Sequence, residues 1–249
     1  MAAATDESTP LAGQVAIVTG SGRGIGRAIA LAYAQAGAHV VVTARTRSQI
    51  DSVRDEIVAT GGTAIALTSD VTDRDGVATL VSQTIESFGR LDIVVANAGA
   101  TSPSTRVSPV DDFAYVINVN LLSVQQLALA CEPHLRERGG KFIVMGSGAG
   151  RRPFKGGSGY SVSKAAVSML VRCLAVEWRD ASIAVNEIIP GPVRTQMAAG
   201  ILDVPNIDAA IRMDWHKTPD DVTPIALFVA RQSNDGPSGQ VFSLLGRDL

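Results

Sequence analysis

Cysteine is scarce in this 249-residue chain: Cys131 and Cys173 stand alone and far apart. Two such residues make neither a disulfide framework nor a metal knuckle. They read as reduced core thiols of a cytoplasmic protein. The three histidines, His39, His134 and His216, lack metal-ligand spacing, so no metal is expected. Neither sign of charge is in excess, with 22 Lys+Arg against 24 Asp+Glu and a formal net charge of −2. A protein that grips phosphate backbones carries a strong basic excess, so no nucleic-acid partner is expected. The 24 glycines and 11 prolines follow no period, which excludes collagen-like and low-complexity chains. The segment Met1 to Pro10 has neither a basic stretch nor an apolar one. It reads as a disordered tail rather than a secretory leader. Phe113 to Cys131 is uncharged for nineteen residues, about the length of a membrane span. It contains Asn118, Asn120, Ser123, Gln125 and Gln126, however. Those polar groups are costly in lipid, so a buried helix of a soluble protein is expected and no membrane partner.

No repeat or linker-like stretch interrupts residues 11–249, which read as one domain. Short apolar runs alternate with helical patterns. Strands are expected at Val15–Thr19, His39–Thr43, Ala64–Leu67, Leu91–Ala96, Lys141–Met145, Ile183–Ile189 and Gln240–Leu245. Between them fall helices at about Gly24–Ala36, around Ile50, Val53 and Ile57, and along Val77, Leu80, Val81, Ile85 and Phe88. Thr72-Asp-Arg-Asp75 reads as a capping box, and Gly61 and Gly89 as helix stops. Two longer helices follow, at about Asn120–Glu137 and Ser158–Arg179. Apolar strands separated by helices imply an α/β fold, a mainly parallel seven-stranded sheet with helices on both faces. Right-handed crossovers make it doubly wound, with a ligand crevice at the carboxyl ends of the strands.

Three motifs carry chemistry. The first strand runs into Thr19-Gly-Ser-Gly-Arg-Gly-Ile-Gly26 and then a helix. Gly20, Gly24 and Gly26 let the backbone approach a pyrophosphate at a helix N-terminus; a tight strand–helix turn without a ligand is the plainer alternative. A carboxylate that reads an adenine ribose is expected roughly twenty residues further on. No acid lies between Gly26 and Asp51, and strand two ends Thr43-Ala44-Arg45-Thr46-Arg47. Arg45, with Arg23 in the glycine loop, suits a 2′-phosphate; ordinary surface arginines are the alternative. Third, Tyr160-Ser-Val-Ser-Lys164 places a phenol and an ammonium one helical turn apart. A phenol near pKa 10 is too weak a base at neutral pH, and a neighbouring ammonium lowers that value. Ser147 follows strand five at its carboxyl end, thirteen residues before Tyr160, so its hydroxyl would enter the same crevice.

Over residues 11–249 the chain resembles the short-chain dehydrogenase/reductase family. The resemblance rests on Thr19-Gly-x-x-x-Gly-x-Gly26, Asp70-Val71, Asn97-Ala-Gly99, Asn120, Ser147, Tyr160-x-x-x-Lys164 and Pro190-Gly191. It implies a Rossmann-type fold and a Ser–Tyr–Lys–Asn active site. Tyr160 would pass a proton to or from the substrate oxygen, and Ser147 would hydrogen-bond that oxygen. Lys164 would lower the tyrosine pKa and grip the nicotinamide ribose. Asn120 would hold a water linking Lys164 to solvent; Asn118 competes for that role, and Val119-Asn120-Leu121 fits the family pattern better. A nucleotide would lie along Gly20, Ser21, Arg23, Gly24, Ile25, Gly26, Arg45, Asp70, Val71, Asn97, Gly99, Tyr160, Lys164, Pro190, Gly191, Val193 and Thr195. Asp70 would contact adenine, and Val193 and Thr195 the carboxamide and phosphates. The chain departs from the pattern at Ala96, where an asparagine is common, at Gly22, where a serine often helps bind a 2′-phosphate, and at Leu245-Gly246-Arg247, where Gly-Gly is usual.

The expected activity is hydride transfer between NADP(H) and a carbonyl or secondary alcohol. The resemblance is strongest to 3-oxoacyl-carrier-protein reductases, whose substrate is carrier-bound. A sugar, steroid or other alcohol dehydrogenase and a non-catalytic nucleotide-binding relative are the alternatives. The substrate pocket is expected from Ala100–Arg106, Gly148–Gly159 and Val193–Trp215, with a helix at about Arg194–Arg212 and Trp215 as a candidate lining residue. Arg151, Arg152 and Lys155 at its mouth either attract an anionic substrate arm or are solvated surface charge. The family suggests a homotetramer built on the helices near Asn120 and Ser158. Glu187 is out of place among the apolar residues of strand six.

Overall fold

A computed structural model of the protein describes residues 9–102, 107–198 and 216–246. Seven strands, β1 (Val15–Thr19), β2 (His39–Ala44), β3 (Thr63–Thr68), β4 (Ile93–Ala96), β5 (Gly140–Met145), β6 (Ile183–Ile189) and β7 (Val241–Ser243), form one sheet. Its order is β3-β2-β1-β4-β5-β6-β7, and every pairing is parallel. The strand order reverses between β1 and β4, which opens a crevice beyond their carboxyl ends.

Alternation of side chains along each strand feeds two cores. Ala16, Val18, Val40 and Val42 face one way. They meet Ile29, Ala30 and Tyr33 of α1 (Gly24–Gln35), Ile50, Val53 and Ile57 of α2 (Arg47–Ala59), and Ala226 and Val229 of a helix near the C-terminus (Thr223–Ala230). Ile17, Val41, Val94 and Phe142 face the other way. There they meet α3 (Arg74–Phe88), α5 (Ser123–Arg136) and α6 (Ser158–Glu177) through Val81, Leu127 and Val171. Each fully buried aliphatic side chain contributes about 1.5–3 kcal/mol, so both cores are substantial.

Several local expectations are corrected. The N-cap of α3 is Asp73, whose carboxylate accepts from Asp75 N at 3.2 Å. Thr72 is not the cap: its N–H and hydroxyl both donate to Asp70 Oδ1, at 2.9 and 2.7 Å. The helix expected from Asn120 starts earlier. It begins as α4 (Val110–Ile117), widens to a π turn over Asn118–Leu122, and continues as α5. β7 is three residues long, although Leu244 N still donates to Ile189 O at 2.8 Å. Cys131 is buried, but Cys173 is exposed on α6 and is no core thiol. Among the described residues two stretches, Val110–Arg136 and Ser158–Glu177, are long and apolar enough to cross a membrane. Both pack part of their apolar surface against the sheet. Residues 1–8 of the expected tail, 103–106 of the expected pocket, 199–215 with most of the expected helix and Trp215, and Arg247 lie outside the described residues.

Candidate active site

The glycine loop forms the outer half of the crevice. Gly20 and Gly24 have φ of +65° and +57°, conformations open to glycine and strained for other residues. A Cβ on Gly26 would lie 2.4 Å from Asn97 Nδ2 and 2.5 Å from the Gly20 carbonyl, so no side chain fits there. Asn97 ties this loop to β4 by donating to Thr19 O at 2.8 Å and Gly20 O at 3.3 Å. No side chain caps the start of α1, and its first turn holds no acid. Those N–H groups and the positive end of the helix dipole face the crevice, the arrangement that binds a phosphate. Thr195 stands opposite, 3.4 Å from where a Gly24 Cβ would be. The loop therefore fits a pyrophosphate on geometric and electrostatic grounds.

Ala44, Arg45, Thr46, Ser69, Asp70 and Val71 line the rim next to this cradle. Asp70 is held below the usual carboxylate range, mainly by the Thr72 N–H, with the Thr72 hydroxyl and the Arg45 charge also lowering it. Arg45 is exposed and lies 3.9 Å from Asp70 Oδ2. Arg23 is exposed as well and hydrogen-bonds Gln196. Both arginines are thus free to turn toward a ligand phosphate at little cost.

The inner half holds the proton-handling groups. Ser147 follows β5, and its Oγ accepts from Ala149 N at 3.2 Å. Tyr160, on α6, is part-buried; desolvation pushes its phenol above the ordinary value, and a hydrogen bond with Ser147 works the other way. Lys164 Nζ donates to Met145 O at 2.7 Å and sits 5.9 Å from the centre of the Tyr160 ring. Burial lowers the lysine to about 8, with the Glu187 charge opposing. The expected lowering of the phenol by Lys164 is therefore not what sets Tyr160 in this arrangement. The ammonium is turned toward the Met145 carbonyl, and desolvation dominates.

Asn120 occupies the π turn, a feature that often marks functional positions in helices. Its Oδ1 accepts from Ala100 N at 2.7 Å; its Nδ2 donates to Ala100 O at 2.9 Å and to Ser163 Oγ at 3.0 Å. It thereby pins the segment after β4 to α6. Asn118, the competing candidate, is less buried and takes no part in these bonds.

Gly20, Arg23, Gly24, Ile25, Arg45, Asp70, Val71, Asn97, Gly99, Ser147, Tyr160, Lys164, Pro190, Gly191, Val193 and Thr195 share one crevice of about 1360 Å³. Three expected residues do not line it. Ser21 is fully buried, its Oγ accepting from Thr43 N at 2.8 Å, so it ties β1 to β2. Gly26 and Asn120 support the wall from behind. Tyr115 and Leu245 line the crevice without having been expected at the site; Phe154, inside the expected Gly148–Gly159 segment, lines it as well, 6.4 Å from the Tyr160 ring. Tyr115 reaches it from α4, which starts ahead of the expected helix, and Leu245 from the segment after β7, which carries no periodic signal. Arg151 and Arg152 line it too, whereas Lys155 does not.

Comparisons with known proteins agree with this geometry. The family described as short chain dehydrogenase matches residues 14–204. A versicolorin reductase of Emericella nidulans is 43% identical over 190 residues, covering 75% of this chain and 72% of that one. A 7α-hydroxysteroid dehydrogenase, solved with NADH and 7-oxo glycochenodeoxycholic acid, superposes with a TM-score of 0.90 at 32% identity, covering 98% of each chain. A short chain dehydrogenase from Burkholderia cenocepacia, solved with NADP, gives 0.86 at 33% identity, covering 94% of this chain and 97% of that one.

Proposed function

Since the chain belongs to the short-chain dehydrogenase/reductase family, we propose that this oxidoreductase is an NADP(H)-dependent ketoreductase. One observation carries the reading. The hydrogen-bonded Ser147–Tyr160 pair, with Lys164 beside it, closes the inner end of a crevice whose outer end is a phosphate cradle rimmed by Arg45 rather than by a ribose-reading acid on β2.

When bound, the nicotinamide supplies or accepts the hydride. Gly20, Gly24, Ile25 and Thr195 hold the pyrophosphate, Arg45 and Arg23 the 2′-phosphate, and Asp70 with Val71 the adenine side. Pro190, Gly191 and Val193 border the nicotinamide end, with Asn97 and Gly99 along the wall. Ser147 donates a hydrogen bond to the substrate carbonyl oxygen. Tyr160 delivers the proton that completes the alcohol. A phenol kept protonated by burial is suited to that acid role. Lys164 holds its charge close to the phenol as the proton leaves. Asn120 keeps the wall in register and borders the path by which a proton returns.

A 3-oxoacyl group on a carrier is one substrate consistent with the basic mouth formed by Arg151 and Arg152. A ring ketone is favoured by a second observation: Phe154 and Tyr115 give the crevice aromatic walls, and the steroid dehydrogenase of like structure was solved with a 7-oxo ligand. The reading extends to a cytoplasmic homotetramer. The unpaired Cys131 and Cys173 support the setting. Exposed apolar side chains on α4 and α5 (Val110, Tyr115, Leu129) and on α6 (Val162, Met169, Val176) support the assembly. The test is NADPH oxidation over 3-oxoacyl thioesters and ring ketones, with Tyr160→Phe as control. The variant is expected to bind NADPH and lose at least about a hundredfold in kcat. Near-normal turnover in it overturns the mechanism; no oxidation with any carbonyl overturns the function.

A further inference from the structure

Glu187 is the one charged residue of β6, whose other residues except Asn186 are apolar, and it is fully buried. It lies on the same face of β6 as Ile183 and Val185, whose side chains join the core beneath α6, so its carboxyl faces that helix. Ser168, one turn after Lys164, donates to Glu187 Oε2 at 2.6 Å. On the other side lies Gly146, whose missing side chain makes the room: a Cβ there would sit 1.9 Å from Oε1 and 2.6 Å from the carboxyl carbon. Gly146 stands between Met145, whose carbonyl accepts from Lys164, and Ser147, which bonds Tyr160. The carboxyl thus fills the space directly behind the proton-handling groups. Its Oε1 is buried without a hydrogen-bond partner, a costly state in a protein interior.

The groups facing Glu187 explain what that cost secures. Burial pushes the Glu187 carboxyl above the usual carboxylate range, and the Ser168 hydrogen bond with the charges of Arg151 after β5 and of Lys164 and Arg172 on α6 works the other way. Its strand neighbours Val144 and Val241 carry no charge. Lys164 is buried, and Glu187 is the group whose charge counters its desolvation. A bond to Ser168 alone would hold α6 on the sheet, and a neutral residue would do that without burying an acid.

We infer that Glu187 is a positioning residue for proton transfer: clamped by Ser168 against Gly146, its carboxylate keeps the ammonium of Lys164 charged and seated beside Tyr160. Only the consequence for turnover rests on the ketoreductase reading; the coupling of the two side chains does not.

The test reads that coupling directly. The chain has four lysines, so lysine labelled with ¹³C at Cε gives few signals, and Lys164→Met identifies one of them. In full-length Glu187→Gln, which keeps an acceptor for Ser168, the Lys164 titration is expected to fall by about one pH unit or more. The basic limb of the kcat profile for carbonyl reduction is expected to move down with it. A Lys164 midpoint within about 0.2 units of the parent, in a folded variant, overturns the inference. Should Glu187→Gln not fold, reciprocity supplies the second arm. In Lys164→Met the ¹³Cδ titration of Glu187 is expected to rise by a comparable amount, and an unmoved midpoint there overturns the inference equally. Loss of turnover in Tyr160→Phe leaves both titrations in place, so failure of this coupling and failure of the proposed function are separately visible.

Discussion

Replacing Arg45 by alanine separates its hold on a ligand from its place in the fold. The side chain is 68% exposed, and its ion pair to Asp70, the only one it makes among the described residues, spans 3.9 Å. An exposed pair of that kind contributes about 0–1 kcal/mol, so the melting temperature is expected to change by less than about 2 °C. The cost to binding is larger, because a hydrogen bond to a charged group contributes about 1.5–3 kcal/mol. That amounts to about a ten- to hundredfold loss in affinity for NADPH, with NADH affinity nearly unchanged. The absence of any acid between Gly26 and Asp51 leaves β2 without a partner for the ribose diol, so the parent protein is expected to favour NADPH at least tenfold in kcat/KM. Ala44→Asp combined with Arg45→Ala is expected to reverse that preference, since the phosphate then meets a like charge. Fluorescence titration of both nucleotides, with initial rates at fixed substrate, measures each quantity. Equal parent affinities, or an Arg45→Ala variant that weakens NADH as much as NADPH, would show that this arginine is solvated surface charge.

Two further outcomes follow from the inner half of the crevice and from the surface. Burial lowers Lys164 from 10.5 to about 8, so between those values the unfolded chain binds a proton that the folded chain has released. Stability contributed by this residue therefore rises with pH across that window, and urea unfolding of the parent against Lys164→Met is expected to shift by about 2 kcal/mol in the parent's favour between pH 8 and 9.5; a pH-independent difference refutes it. Light scattering is expected to report four chains, and Leu129→Lys with Met169→Lys to reduce that number; a monomeric, active parent protein refutes the assembly.

The sheet was legible because its physics is local. Runs such as His39-Val-Val-Val-Thr43 are apolar on both faces, as buried parallel strands are, and they lie within a residue or two of the observed bounds. Glycines at positive φ, Gly61 and Gly89 among them, end or follow the helices where the sequence places them. The π turn at Asn118–Leu122 was not legible, since its residues have the composition of any apolar helix and only tertiary packing rewards the extra residue in the turn. The cap of α3 was misplaced by one residue because Asp73 and Thr72 are both good caps, and Asp70 engages Thr72 first. The Ser21 hydroxyl was expected at the cradle but turns inward to Thr43, a partner 22 residues away that no local rule announces.

Glu187 shows where sequence and structure divide the work. The sequence marks it as misplaced, an acid on a strand whose other residues except Asn186 are apolar. It cannot say why, because the reasons lie on three separate elements: Ser168 on α6, Gly146 after β5, and the lysine whose ammonium rests on the Met145 carbonyl. Each of these alone has a bland explanation. A serine often caps a stray acceptor, a glycine often ends a strand, and a buried lysine usually finds a carbonyl. Together they enclose two opposite charges within the same dry wall, one of them with an unpartnered oxygen. Burying a charge is costly unless it is paired, and well-packed apolar residues would make a more stable wall. The retention of both charges directly behind the Tyr160 phenol is therefore best understood as stability given up for control of a proton.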